Sequence, residues 1–254
     1  MTLLQKASAG IRRLIEGGYN TAGMTNEAGR AVWLQAALRK IPAGGRILDA
    51  GAGEQKFKNY CAHLKYVAQD FAEYDGRGDF RGLQTGSWDQ TKLDIVSDIT
   101  AIPEPAGSFD AVMCIEVFEH LPNPLLAIAE FSRLMRTGGY LILTAPFSSL
   151  THFAPYHFCT GFNRYFYEHH LPEHGFEILE LAPNGNYFEY IAQELRRLPE
   201  ISHRYARIET TLWEKAALKL ILRMLCRLSR GGDESSELLN YGYHLFAKKT
   251  ARTL

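Results

Sequence analysis

A short apolar run ending in two closely spaced glycines constrains this chain more than any other feature. Arg46-Ile-Leu-Asp-Ala50 reads as a buried strand, Gly51-Ala52-Gly53 turns directly out of it, and Phe57, Tyr60, Cys61 and Leu64 follow at helical spacing. Strand, glycine turn and helix open a parallel α/β sheet, which takes its ligands outside the carboxyl ends of its strands. The unit recurs, with further strands predicted at 66–70, 93–96, 109–115, 140–144, 176–181 and 241–247. Asn123-Pro124 starts a helix, because proline suits the first helical position, and Gly138-Gly139 ends it. Upstream, Thr25 or Asn26 caps a helix with apolar positions Val32, Ala36 and Leu38, closed by Pro42 and Gly44-Gly45.

With 254 residues, 46% of them hydrophobic, the chain can bury one sizeable core. It reads as a single domain over 1–254: an N-terminal helical region (1–43), a cofactor-binding core (44–182), a helical insertion (183–238), and a last strand with a tail (239–254). The insertion follows from the mainly helical pattern between Asn184 and Arg230, which is too long for a tight turn between the final two strands.

Lys+Arg and Asp+Glu both number 28, so the basic excess of a dedicated nucleic-acid binder is missing and a small or neutral partner is favoured. The cysteines Cys61, Cys114, Cys159 and Cys226 have neither zinc-motif nor disulfide-framework spacing, which points to reduced thiols. The start lacks a signal-like apolar run, and no stretch reaches the roughly 18 apolar residues of a membrane span. A cytoplasmic protein is the expectation.

A dinucleotide-binding turn would carry a third glycine or alanine where this chain has Lys56, so the turn suits a ligand without a pyrophosphate and argues against NAD. Asp70 ends the second strand about 20 residues after the glycines begin, where a carboxylate accepts both ribose hydroxyls. Asp98, after the third strand, is placed to accept from an adenine amino group while Ile99 packs on the ring. Together these residues describe an adenosine pocket.

The ordered set Ile47-Leu-Asp-Ala-Gly-Ala-Gly53, Asp70, Ser97-Asp98-Ile99, Ser108-Phe-Asp-Ala-Val112, Glu116-Val-Phe-Glu-His120 and Arg136-Thr-Gly-Gly139 resembles the class I S-adenosylmethionine-dependent methyltransferases. The resemblance runs from about Gly44 to Leu181. It implies a Rossmann-like, doubly wound, seven-stranded and mostly parallel sheet with an antiparallel terminal hairpin, here with an inserted helical cap. It also implies S-adenosyl-L-methionine as cofactor, its methionine part cradled by the Gly51–Gly53 backbone and its ribose held by Asp70. Asp49, Ala52, Phe71, Asp98, Ile99, Ile115 and Glu116 complete the implied cofactor contacts. Gln55 departs from the pattern, since a third alternate glycine often stands there.

Methyl transfer to a hydroxyl also needs a proton acceptor or a metal ion. Glu116, Glu119 and His120 follow the fourth strand, and their spacing resembles a metal-binding arrangement of ubiquinone-pathway and small-RNA O-methyltransferases, although relatives without metal carry it too. Beyond the fifth strand lies the chain's aromatic concentration, His152-Phe-Ala-Pro-Tyr-His-Phe158, in which His152 or His157 is a candidate base alongside Glu116. The helix at 212–228 has Lys215, Lys219, Arg223 and Arg227 on one face and Trp213, Ala217, Leu220, Met224 and Leu228 on another. A solvated charged face over a packed apolar one is the usual meaning of that pattern, and peripheral contact with a membrane or a lipid-linked acceptor is the other. The expected activity is methyl transfer to an oxygen or nitrogen of a small-molecule or saccharide acceptor. The competing readings are an NAD-dependent oxidoreductase and a non-catalytic nucleoside-cofactor-binding protein that associates with membranes.

Overall fold

The computed structural model describes residues 21–231 and 233–251. These fall into two compact units, one built from 28–184 with 241–251 and the other from 21–27, 185–231 and 233–240.

The first unit is a seven-stranded sheet of β1 (Arg46–Ala50), β2 (Lys65–Asp70), β3 (Ile95–Val96), β4 (Phe109–Ile115), β5 (Met135–Pro146), β6 (Phe176–Asn184) and β7 (Gly242–Lys249), in the order β3-β2-β1-β4-β5-β7-β6. The first five strands are parallel, and β7 runs antiparallel to both β5 and β6. This is the Rossmann-like arrangement expected, with an antiparallel pair at one edge.

Alternation along the strands feeds two cores, one on each face of the sheet. Leu48 and Ala50 of β1, with Val112 and Cys114 of β4, pack with Phe131 and Leu134 of α2 (Pro124–Leu134) and Tyr167 of α3 (Arg164–Glu173). Ile47, Ala111 and Met113 face the other way, onto α1 (Asn26–Leu38). Of the apolar positions read from spacing on α1, Leu38 is buried but Val32 and Ala36 are exposed, and Leu34 and Ala37 join Leu38 on the buried face. The anticipated helix through Phe57–Leu64 is a single 3-10 turn at Lys58–Cys61. α2 stops at Leu134, short of Gly138-Gly139, because Met135 is already extended and paired with Phe109 of β4.

The second unit contains α4 (Tyr187–Ile201), a π-helical turn at Ser202–Ala206 and α5 (Leu212–Ser229). Asn186 caps α4 and also donates from Nδ2 to the Ser229 carbonyl at 3.0 Å. α5 opens with a capping box in which Thr211 and Glu214 satisfy one another's backbone amides. A small core of Ala22, Ala192, Leu222 and Leu225 holds the unit. The packed apolar face expected of Trp213, Leu220, Met224 and Leu228 is not there, since all four are exposed.

Candidate functional site

The carboxyl ends of β1, β2 and β4 open on a cavity of about 510 Å³. Its floor is the glycine turn. The Gly51 and Ala52 amides both donate to the Gln69 carbonyl at 2.9 Å, which folds the turn against β2. Gly51 sits at φ +78°, and a Cβ there would stand 2.6 Å from the Val117 side chain, so this position needs glycine for both backbone and space.

Asp70 is buried and grips the turn. Its Oδ2 accepts from the Gly53 amide at 2.9 Å and its Oδ1 from the Ala72 amide at 3.0 Å and from Gln90 Nε2 at 3.4 Å, and the residue lines the cavity. Phe71, Ser97, Asp98, Ile99 and Glu116 join Gly51 and Asp70 along the lining. Asp98 Oδ1 is engaged by the amide and hydroxyl of Thr100, so its other oxygen is the one free to meet a ligand.

Four of the sequence-predicted cofactor residues, Asp49, Ala52, Gly53 and Ile115, lie off the lining. Asp49 is buried inside β1, where it accepts from the Tyr66 hydroxyl at 2.5 Å. Burial pushes its carboxyl up to about 7, against the lowering effect of Tyr66 and with a further push from Asp70. Ile115 belongs to the core beside α1, and Ala52 contributes its amide to the turn.

The roof was half legible in the sequence, which singled out the aromatic loop after the fifth strand but not residues 71–92. Residues 71–92 join the loop after β5 through Leu83 and Phe153, whose amides donate to Thr151 and Leu83 carbonyls, and through Asp79, whose amide donates to Ala154. Tyr74, Trp88 and Phe153 form one aromatic cluster, Tyr74 stacked on Phe153 with centroids 4.7 Å apart. All three line the cavity, as do Tyr156 and Phe158. The available signal was a glycine-rich loop that nonetheless carried large aromatics. The Arg77-Gly-Asp79 tripeptide is a turn in this roof, its amides partly held by Asp75.

Around His120 of the lining, His120, His152 and His157 bring ring nitrogens within 4.8 Å of one another. Glu119, 1% exposed, reaches both His120 and His152 with Oε1, at 3.6 and 3.7 Å from their Nε2 atoms. His120 Nδ1 lies 2.6 Å from the Tyr156 carbonyl and His152 Nδ1 2.8 Å from the Leu150 carbonyl. A carbonyl only accepts, so each Nδ1 carries the proton and each Nε2 offers a lone pair to the cluster. Glu119 Oε2, His120 Nε2 and both nitrogens of His157 are buried without a hydrogen-bond partner. One ring nitrogen from each of His120, His152 and His157, the first two oriented by backbone carbonyls and those of His120 and His157 otherwise unpartnered, makes a set that fits a divalent cation.

Glu116 stands apart from that group. Its backbone is strained at φ +57°, Arg30 holds one carboxylate oxygen at 2.7 Å and the Thr144 hydroxyl donates to the other at 2.8 Å. Of the sequence-predicted trio Glu116, Glu119 and His120, the structure groups His120 with His152 and His157, sets Glu119 Oε1 3.6 and 3.7 Å from His120 and His152, and pairs Glu116 with Arg30. Burial pushes the Glu119 carboxyl up, and Glu119 with the Leu150 carbonyl holds His152 up despite its burial. Burial and the neighbouring His152 drive His120 down to about 3, and the same causes lower His157.

Residues 26–203 match the family described as Methyltransferase domain. The Ubiquinone biosynthesis O-methyltransferase of Xanthomonas axonopodis pv. citri is 37% identical over 111 residues, 42% of this chain and 46% of that protein. Its counterpart in Xanthomonas campestris pv. campestris is 34% identical over 111 residues, with the same coverage of 42% and 46%. The chain thus spans less than half the length of these curated relatives. Among solved structures, the [4+2]-cyclase SpnF has a TM-score of 0.54 at 19% identity, over 92% of this chain and 86% of that one. A SAM dependent methyltransferase from Archaeoglobus fulgidus has a TM-score of 0.50 at 17% identity, over 86% and 94%. At these identities the structures share the fold, and a cyclase among them shows that the fold alone does not fix the reaction.

Proposed function

The chain belongs to the methyltransferase-domain family, and from that premise we propose that it transfers the methyl group of S-adenosylmethionine to a hydroxyl oxygen of a small aromatic acceptor, assisted by a divalent cation held by Glu119, His120, His152 and His157. The observation that carries the proposal is the convergence of a buried carboxylate, His152 and His157 on His120, which lines the cavity together with Gly51, Asp70 and Asp98.

The cofactor residues divide by chemistry. Asp70 accepts from the ribose hydroxyls, Ile99 and Phe71 cover the adenine, and the Gly51–Gly53 backbone meets the methionine part. No third glycine is present to admit a pyrophosphate, which sets the nicotinamide reading aside along with the family match. Phe153, Tyr156 and Phe158 form an apolar surface suited to an aromatic ring, and the name of the Xanthomonas relatives points the same way.

In the transfer, the acceptor oxygen bonds to the methyl carbon as the carbon–sulfur bond breaks, giving a methyl ether, S-adenosylhomocysteine and a proton. Alignment of the two reactants contributes on the order of 7–11 kcal/mol. A bound cation supplies a Lewis acid that lowers the acceptor hydroxyl's pKa. The Tyr156 and Leu150 carbonyls fix the rings of His120 and His152, and the Phe158 and Cys159 amides, donating to the Glu119 carbonyl, fix that residue's backbone. Without a cation, His152 Nε2 backed by Glu119 is the group placed to take the proton.

The test is S-adenosylhomocysteine production with catechols, sugars and amines, each in magnesium, manganese, zinc or EDTA. We expect turnover with catechols only, lost by more than tenfold in EDTA. His120→Ala and His152→Ala should each lose manganese binding by calorimetry while keeping S-adenosylhomocysteine affinity within twofold. Turnover on sugars or amines alone would refute the acceptor class, and EDTA-insensitive turnover would leave His152 as the base and refute the cation.

A further inference from the structure

We propose that the outward face of α5 binds the surface of anionic lipid bilayers. On a helix successive residues are about 100° apart, so the 18 residues of α5 divide into three stripes. Leu218, Leu222 and Leu225 form the stripe that packs into the helical unit's core. On the opposite side lie Trp213 and Leu220, 86% and 70% exposed, with Ile221, Met224 and Leu228 continuing the apolar stripe. Lys215, Lys219, Arg223 and Arg227 run along its flank at every fourth position. Among the described residues none of these four cations has an ion-pair partner.

An apolar stripe in water beside a row of unpaired cations is the pattern of a helix lying in a membrane interface, with its apolar side chains among the acyl chains and its cations at the phosphates. The chain has equal numbers of acidic and basic residues, yet α5 carries four cations and one acid, Glu214, which is engaged in the capping box. No helix among the described residues is long and apolar enough to cross a membrane, so the contact is with the surface. Charge decides between occupants. A second copy packed symmetrically on this stripe would bring two rows of cations together, and a nucleic acid would leave Trp213 and Leu220 without an apolar counterpart. The inference is independent of the acceptor and of the cation at Glu119.

The full chain is sedimented with vesicles of phosphatidylcholine alone or with one-third phosphatidylglycerol, at low and high salt. Binding to the anionic vesicles should exceed that to the neutral ones by at least tenfold and should fall with salt. Two variants, Trp213→Ser with Leu220→Ser, and Lys219→Glu with Arg223→Glu, should each lose at least fivefold while keeping the parent's melting temperature and S-adenosylhomocysteine affinity. Emission assigned to Trp213, as the difference between the parent and Trp213→Phe, should shift to the blue and be quenched by brominated acyl chains. The proposal is overturned if the parent stays in the supernatant, if neutral vesicles bind as well, or if the variants bind like the parent. It is equally overturned if the chain is a dimer that Trp213→Ser with Leu220→Ser dissociates and that binds no vesicles.

Discussion

Asp70, to which the proposed function assigns the ribose, also holds the glycine turn. Its offset from the glycines marked it for the ribose, but its grip on the Gly53 and Ala72 amides is visible only in three dimensions. Asp70→Asn keeps the shape, removes the charge and leaves one of those amides short of an acceptor, so S-adenosylhomocysteine affinity should fall by about 1.5–3 kcal/mol, the usual worth of hydrogen bonds to a charged group. An unchanged dissociation constant in calorimetry would contradict this placement of the ribose. Asp49 makes a different prediction, because its folded-state pKa of about 7 lies above the ordinary value of 3.8. Between those values the folded chain keeps a proton that the unfolded chain has released, so Asp49's contribution to stability falls as pH rises through that window, by at most about 4 kcal/mol. The melting temperature of Asp49→Asn relative to the parent should therefore rise from pH 4 to pH 7 and level off above; a pH-independent difference would refute the shift. Glu116 was legible as a site residue, whereas its Arg30 partner, 86 positions away in sequence, was not.

At the scale of elements, strands with clear local punctuation were readable: the glycines after β1, Asp70 after β2 and Glu116 after β4 all lie at carboxyl ends where the sheet opens. Helix faces were less readable. Apolar spacing on α1 and α5 was correct as a pattern, but the surface each stripe meets is set by tertiary packing, which exposes Val32 on α1 and Trp213 on α5. The 71–92 half of the cavity roof escaped because its aromatic pairs with the loop after β5 join positions far apart in the chain, Tyr74 with Phe153 and Phe71 with Tyr156, and no local periodicity encodes them. Trp88 is the roof residue closest to the turn, since a Cβ added to Gly53 would come within 2.9 Å of its ring. Trp88→Ala should weaken cofactor binding by about 1–2 kcal/mol through lost aromatic contact and a wetter cavity, with the melting temperature lowered by only a few degrees. Fluorescence-monitored S-adenosylhomocysteine titration checks this, and wild-type affinity in the variant would show that the roof does not contact the cofactor.

For the molecule as a whole, the neutral charge total concealed the distribution that matters, a cationic α5 in a chain with a net charge of zero. The order of motifs from Gly44 to Leu181 was legible because each names a chemical task at a strand end. The histidine cluster was not, because His120 and His157 come from separate loops and meet only through the fold. The central claim is that the cavity over Gly51 and Asp70 binds an adenosyl sulfonium cofactor. Isothermal titration of the purified chain with S-adenosylmethionine, S-adenosylhomocysteine and NAD tests it most directly. The account predicts micromolar binding of the first two, weakened by about ten- to 150-fold in Asp70→Asn, and none of the third. Binding of NAD alone, or of no ligand at all, would contradict it.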